Sequence, residues 1–351
     1  GALLALVTAL AAWRLAVALG ADGAGALGVM AVAACTGALA LDNGYGKASV
    51  EVACLTSIAA VGVARVAREG RGLGTLGVAV ALALLLHRSA LALLPAWAVC
   101  AVLAVRAGAW RDIASEPRAL QKRLALLLGL LAPPVALAMV GPRLVQVITS
   151  FDARKHVQAG GTAATLAVAF SPAHLLDVLH TLVLLVPIAP LVLMLLGLAP
   201  RPSRREAVAF AALAVPPLAL LLLVNPQHGL PRDWDVFAFA GSALAAGVAW
   251  RMAGVLGATP PAARWLAFPL LLAAIVPVLQ FAALQSDSER TWSRAEAILL
   301  GPPERPASER ADGLGTIGMM RFGRGQYAPA VRLFQRSAAA APNPRTFVEW
   351  G

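Results

Sequence analysis

Runs of about twenty apolar residues, separated by short charged loops, make up most of this chain and set what it can fold into. Backbone that crosses hydrocarbon must satisfy its own N–H and C=O groups, so such runs become helices rather than loops or open sheets. We read ten of them: Ala2–Leu19, Ala26–Leu41, Val52–Ala67, Leu73–His87, Leu91–Ala107, Leu124–Val140, Leu175–Leu198, Ala207–Val224, Val236–Leu256 and Trp265–Leu284. Composition agrees. The chain is 59% hydrophobic and only 13% charged, with a mean hydropathy of +0.75. A soluble domain carries roughly twice that charged share. The expected fold is therefore all-α, a polytopic transmembrane helix bundle over residues 1–284. The fourth and fifth runs are squeezed into one stretch and read as short helices or a partly re-entrant pair. Pro133–Pro134 and Pro216–Pro217 fall inside runs, where lost helix hydrogen bonds are expected to kink the helix.

The net charge of +11 invites a nucleic-acid reading, but its distribution argues against one. One set of loops holds Arg65, Arg68, Arg71, Arg106, Arg111, Arg118, Lys122, Arg123, Arg201, Arg204, Arg205, Arg251 and Arg264. The alternate set holds Lys47, Arg88, Arg143, Arg154, Lys155 and Arg232. The positive-inside rule puts the first set in the cytoplasm. The loops 42–51, 141–171 and 225–235 then share the outer face with the C-terminal tail, and the expected location is a bacterial inner (plasma) membrane. Cys35, Cys54 and Cys100 are isolated in apolar runs and read as small core residues.

The outer loops hold the candidates for chemistry. Pro226–Asp235 packs His228, Arg232, Asp233 and Asp235 between prolines and a glycine, beside two apolar runs. Polar groups so placed mark a binding site by default. Asp233-Trp234-Asp235 has the spacing with which two carboxylates share a divalent cation or hold a diphosphate through it, and Trp234 offers a face for a sugar ring. The competing reading is internal, with Arg232 pairing one aspartate and Asp235 capping the next helix. Asp42 and Glu51 flank a Gly/Tyr-rich turn at a span mouth, where an acid serves as general base or grips a hydroxyl. The alternative there is a helix start, with Ser49 as N-cap and Glu51 in the first turn. His174, Asp177 and His180 recur every three residues, a partial metal site or the polar side of an interfacial helix. His87 and Arg88, with Arg154, Lys155 and His156, suit an anionic headgroup or lipid phosphate, or else snorkel to the interface. No cofactor is certain, and a divalent cation remains possible. No Walker loop, G-x-S-x-G, H-E-x-x-H or C-x-x-C occurs.

Near Gln285 the composition turns polar, and residues 285–310 read as a linker, partly helical at best. Gly318, Gly325, Tyr327, Ala330, Phe334 and Pro342 then follow the spacing of a tetratricopeptide helix pair, with Ser337 where alanine is usual. The alternative is a generic amphipathic hairpin. Residues 311–351 read as one such repeat, cut within a second at Arg345–Gly351, and the opening on Gly1 rather than Met leads us to expect further sequence before it.

With these parts in view, the chain resembles the GT-C class of multi-spanning bacterial glycosyltransferases. The resemblance rests on the 44–51 loop leading to Arg65–Arg71, the segment 81–99 with its His87-Arg88-Ser89 knuckle and Leu93-Leu94-Pro95-Ala96, the stretch Phe170–Asp177, and the 225–235 loop. What that class implies is transfer of a sugar from a polyprenyl-phosphate donor to an acceptor on the extracytoplasmic face, with inversion. A catalytic acid in an early outer loop would be Asp42 or Glu51. Arg88, Arg154, Lys155 and Arg232 would hold the lipid phosphate, with His228, Asp233, Trp234 and Asp235 near the substrate. The implied partners are membrane lipid, the polyprenyl-linked sugar, and proteins or peptides on the repeat, but no nucleic acid. Two other readings stay open: a non-enzymatic membrane-anchored scaffold that recruits proteins through its repeat, and a transporter. The transporter reading has little to build on, since Arg14 is the one charge well inside a run and no acidic partner is evident.

Overall fold

A computed structural model describes residues 1–41, 47–107, 119–152, 161–224, 226, 230, 233–258, 265, 267–302, 304–342 and 347–348. Every regular element among them is helical. In chain order they are α1 (Ala2–Ala18), α2 (Gly23–Ala34), α3 (Gly37–Leu41), α4 (Ala48–Glu69), α5 (Leu73–Leu86), α6 (Leu94–Arg106, entered through a 3-10 turn at Arg88–Leu93), α7 (Ala119–Val147), α8 (Gly161–Ala169), α9 (Pro172–Leu185), α10 (Ala189–Leu195), α11 (Arg204–Leu223), α12 (Ala238–Ala258, entered through a 3-10 turn at Trp234–Phe237), α13 (Ala267–Ser286), α14 (Ser288–Leu300), α15 (Ala307–Phe322) and α16 (Tyr327–Ala340).

Six of these segments are long and apolar enough to cross a membrane: 48–69, 88–106, 120–150, 204–223, 234–258 and 267–286. A seventh arises if α8 and α9, bent by 58° between Ala169 and Pro172, count as one broken span. The expected ten are not reached among the described residues. α1, α2 and α5 have 17, 12 and 14 residues, short of the ~20 that hydrocarbon thickness demands. The expected span at 175–198 is interrupted: Pro187 keeps Val186 out of the helical region (φ −136°, ψ 75°), so α9 stops and α10 restarts beyond it. The helices continue through Pro133–Pro134 and Pro216–Pro217.

Burial sorts the helices. The windows over α4 and α12 are 78% and 67% buried, those over α7, α11 and α13 only 22%, 28% and 17%, so α4 and α12 form the interior of the bundle. α12 achieves this with small residues; Ala240, Ala243, Ala245 and Ala249 are fully buried. Without a hydrophobic drive between helices in lipid, close backbone approach supplies the packing energy. The tightest example is α5 on α7. A Cβ at Gly77 would lie 2.2 Å from the Gly129 carbonyl oxygen, and the indole N–H of Trp97 donates to that same oxygen at 2.7 Å.

The loops gather at two opposite ends, about 33 Å apart along the 22 residues of α4. At one end Arg68 pairs with Glu206 (3.3 Å) and Arg205 donates to the Val66 carbonyl at 2.6 Å. Arg251 at this end reaches the Pro200 carbonyl, and Trp250 stacks on Phe210 at 4.8 Å. Ser203 and Glu206 close a reciprocal capping box on α11 there. At the other end Lys47 pairs with Asp235 at 3.0 Å. Among the described residues, Arg68, Arg205 and Arg251 thus gather at one end and Lys47 lies at the other.

The polar tail is more structured than a linker. Asp287 accepts from the Arg290 amide and starts α14 directly after α13. Trp292 of α14 is buried with Leu314, Ile317 and Leu333 of the α15–α16 hairpin, and the Arg321 and Arg324 guanidiniums lie 4.8 and 4.9 Å from its ring centroid. Gly318 admits the Phe334 ring, which would stand 2.7 Å from a Cβ there. Ser337 is fully buried and donates to the Ala311 carbonyl at 2.7 Å, which accounts for a hydroxyl at a position that favours alanine. Tyr327 does not fill the gap as expected: it is 61% exposed, edge-on to Phe322.

Candidate functional site

The Lys47 end carries the polar groups that packing alone does not explain. Its foundation is local. Ser171 caps α9 by accepting from the His174 amide, and Pro172 supplies a preset φ in the first turn. This aims His174, Asp177, His180 and Thr181 along the first turns of the helix. Gly37 lets the start of α3 press against α9 and the Trp234 indole. A Cβ there would sit 2.7 Å from the Leu184 carbonyl oxygen and 3.0 Å from Trp234 Cζ3. Trp234 in turn meets the edge of Phe281 on α13, with ring centroids 5.7 Å apart.

Between α9, α13 and α14 lies a cavity of about 720 Å³, within the range of ligand sites. Apolar Leu179, Val183, Leu184 and Phe281 form one wall, while Thr36, His180, Gln280, Arg294 and Arg305 supply polar groups. His180 and Arg294 are exposed and bond no described side chain. Three orphaned polar atoms belong to the same end of the bundle: the Thr36 hydroxyl on the cavity wall, and the Ser49 hydroxyl and Glu51 Oε2 in the first turn of α4. A buried polar atom without a partner costs about 1–3 kcal/mol. Three at one end of the bundle mark groups poised for something other than the protein itself.

The floor of the cavity is an ion-pair cluster. Arg305 Nη2 and Nη1 donate to Asp177 Oδ1 and Oδ2 at 2.8 and 2.9 Å, and Nη1 lies 3.5 Å from Glu309 Oε2. The three side chains are 9%, 13% and 11% exposed. Burial pulls the Arg305 guanidinium toward losing its proton, but the bonds and charge of Asp177, with Glu309, more than offset it and hold its pKa above the ordinary value. Burial pushes the Glu309 carboxyl up; Arg305 opposes this, and the charges of Asp177 and Asp233 reinforce it. The cluster ties the tail to the bundle and brings Asp233 within electrostatic reach of Glu309.

Several sequence expectations are corrected here. Asp233 and Asp235 meet different neighbours: Asp235 is buried against Lys47, while Asp233 acts on Glu309. Asp235 does not cap α12; it lies inside the 3-10 turn that Asp233 begins. Ser49 is not the N-cap of α4, which is Lys47, and its hydroxyl is unpartnered inside the helix. His174, Asp177 and His180 do not form a metal triplet. His174 Nε2 bonds the Leu222 carbonyl at 2.8 Å, Asp177 is held by Arg305, and no group of three metal-ligating side chains occurs among the described residues. Arg88 is half-buried in its 3-10 turn beside His87, whose ring accepts from the Ser89 amide, and it does not line the cavity. Asp42, Arg154, Lys155, His228 and Arg232 lie outside the described residues.

Sequence reasoning missed Thr36, Gln280, Arg294, Arg305 and Glu309. One signal was available: Arg305 and Glu309 stand one helical turn apart, the spacing of an ion pair, in a stretch dismissed as linker. Thr36 gave none, being a lone hydroxyl inside an apolar run. No protein family matches the chain, and no curated protein or solved structure matches it significantly.

Proposed function

We propose that the protein is an integral membrane glycosyltransferase that moves a sugar from a polyprenyl-phosphate donor to an acceptor at the Lys47 end of the bundle, the extracytoplasmic face of a bacterial inner membrane. The observation that carries this reading is the cavity between α9, α13 and α14, whose wall combines apolar side chains with His180 and Arg294. Such a wall suits a prenyl chain, and the Arg294 guanidinium and His180 ring suit a phosphate. Glu51, whose Oε2 is buried without a partner at the same end, is the best-supported acid among the described residues. In the transfer, a carboxylate takes the proton of the acceptor hydroxyl as the new C1–O bond forms and the bond from C1 to the phosphate oxygen breaks. The lipid phosphate departs with that electron pair, its charge held by Arg294 and His180. The α15–α16 hairpin is read as a tetratricopeptide repeat, supported by the Gly318–Phe334 approach, and as a surface for protein or peptide partners.

The test is mass spectrometry of lipids retained by the purified protein, comparing wild type with His180→Ala/Arg294→Gln and with Glu51→Gln. The expected result is a polyprenyl phosphate or its sugar ester on the wild type, lost from the double variant and kept, unreacted, by Glu51→Gln. Identical bulk phospholipid on all three would overturn the reading in favour of the scaffold.

A further inference from the structure

At the opposite end of the bundle, two arginines face one groove. Arg68 pairs with Glu206 and the Ala18 carbonyl, Arg205 with the Val66 carbonyl, and Arg251 with the Pro200 carbonyl. Arg14 of α1 and Arg65 of α4 have no side-chain hydrogen bond or ion pair among the described residues, yet they line one groove of about 300 Å³. Thr75, the other polar residue of that groove, likewise keeps a free hydroxyl among the described residues. No carboxylate lines the groove among the described residues.

The direction of the groove is informative. α1 and α4 run parallel, since the Cys54 thiol meets the Leu4 carbonyl at 4.0 Å and Arg68 meets the Ala18 carbonyl. From Arg14 the lining on α1 passes to Ala11, Leu10 and Val7; from Arg65 on α4 it passes to Val61 and Ile58. Both tracks become purely apolar as they lead from the charged end of the helices toward the middle of the bundle. Arg14 lies four residues inside the end of α1, about 6 Å from it, so its charge is drawn into the apolar zone rather than left in a loop.

We propose that this groove binds one anionic phospholipid, its phosphodiester bridging Arg14 and Arg65 with Thr75 donating a further hydrogen bond, and one acyl chain lying along Leu10, Val7 and Ile58. Two guanidiniums without a carboxylate select a negative headgroup. The apolar track, running along α1 and α4 away from the two arginines, selects a lipid over a free phosphate. Arginines that merely snorkel also favour anionic lipid, but as a diffuse surface effect and not as one retained molecule.

Full-length protein in detergent is titrated with phosphatidylglycerol, phosphatidylcholine or inorganic phosphate, and bound lipid is counted by native mass spectrometry alongside thermal unfolding. The expected result is one tightly retained phosphatidylglycerol and a rise in unfolding temperature that phosphatidylcholine and phosphate do not reproduce. Arg14→Gln/Arg65→Gln should weaken retention roughly thirtyfold, whereas Arg106→Gln/Arg71→Gln, which removes the same charge outside the groove, should not. Equal retention of phosphatidylcholine by the wild type, an equal thermal shift from phosphate alone, or unchanged retention by the Arg14/Arg65 variant would each overturn the proposal. The comparison of lipids on the wild type stands even if the double variant fails to fold.

Discussion

Replacing Arg305 with methionine tests whether the tail is docked on the bundle by its buried ion pairs. The substitution keeps most of the aliphatic volume but leaves Asp177 and Glu309, 13% and 11% exposed, facing each other with no cation between them. Removing one partner of a buried pair costs about 3–5 kcal/mol. Here the lower end applies, because Glu309, whose pKa is already raised, escapes part of the penalty by taking up a proton. A loss of about 3 kcal/mol raises the opening equilibrium of the interface roughly a hundredfold. Thr181, which is 2% exposed and shares the cavity with Arg305, provides the reporter as Thr181→Cys, since the native cysteines are all buried. Where reclosing outpaces the chemistry, the rate of thiol labelling follows the open population. Arg305→Met should therefore label about a hundredfold faster than its parent. Asp177→Leu/Arg305→Met should recover most of that loss, because an apolar pair needs no counter-charge. Labelling within threefold of the parent, or single effects that simply multiply in the double variant, would refute an energetic role for the pair.

Three further outcomes follow from the geometry. A carboxyl with a raised folded pKa binds its proton more tightly when docked, so its contribution is fullest at acid pH and is lost as pH rises from the unfolded value of 4.5 through the raised one; Thr181→Cys labelling should quicken over that window, and Glu309→Gln should flatten the response. Gly77→Ala forces a methyl to within 2.2 Å of the Gly129 oxygen and should cost about 1–3 kcal/mol in thermal unfolding, while Gly141→Ala, with nothing within 4 Å, should not. Ser337→Ala should cost the tail hairpin about 0.5–1.5 kcal/mol, read as faster hydrogen exchange in α15 and α16, and Ser337→Thr should not restore the loss unless the added methyl finds room.

How much of this was legible in the sequence depends on the range of the interaction. Periodicity is local, and it placed the helical class and the Gly318–Phe334 packing. The span count failed where a local break mattered more than average apolarity: Pro187 ends α9 inside a run whose hydropathy is otherwise continuous. The candidate site was legible only in part. The sequence marked Asp177, Asp233, Trp234, Asp235 and Glu51 as polar groups out of place, but their partners are remote. Lys47 pairs with Asp235 across 188 positions, and Arg305 with Asp177 across 128. No spacing rule reaches so far, so the D-x-D pair looked like a unit although its carboxylates serve different neighbours.

That separation bears on how the cavity works. Asp235 is committed to Lys47 and Asp177 to Arg305, so the most buried charges at this end hold elements in place rather than wait for a ligand. The first pair joins the α12 entry to the start of α4, where Glu51 sits one turn further on. The second joins α9 to the tail that carries Arg294. The groups the proposal assigns to a ligand, Thr36, His180 and Arg294 on the cavity and Glu51 at the same end of the bundle, come from different segments, and these two pairs and the Gly37–Trp234 contact help to hold those segments together. A change in tail docking therefore moves Arg294 relative to His180, whereas Glu51 stays with the bundle. On the proposed reading, a change at Arg305 that shifts the docked tail would weaken phosphate binding through Arg294 and leave Glu51 in place.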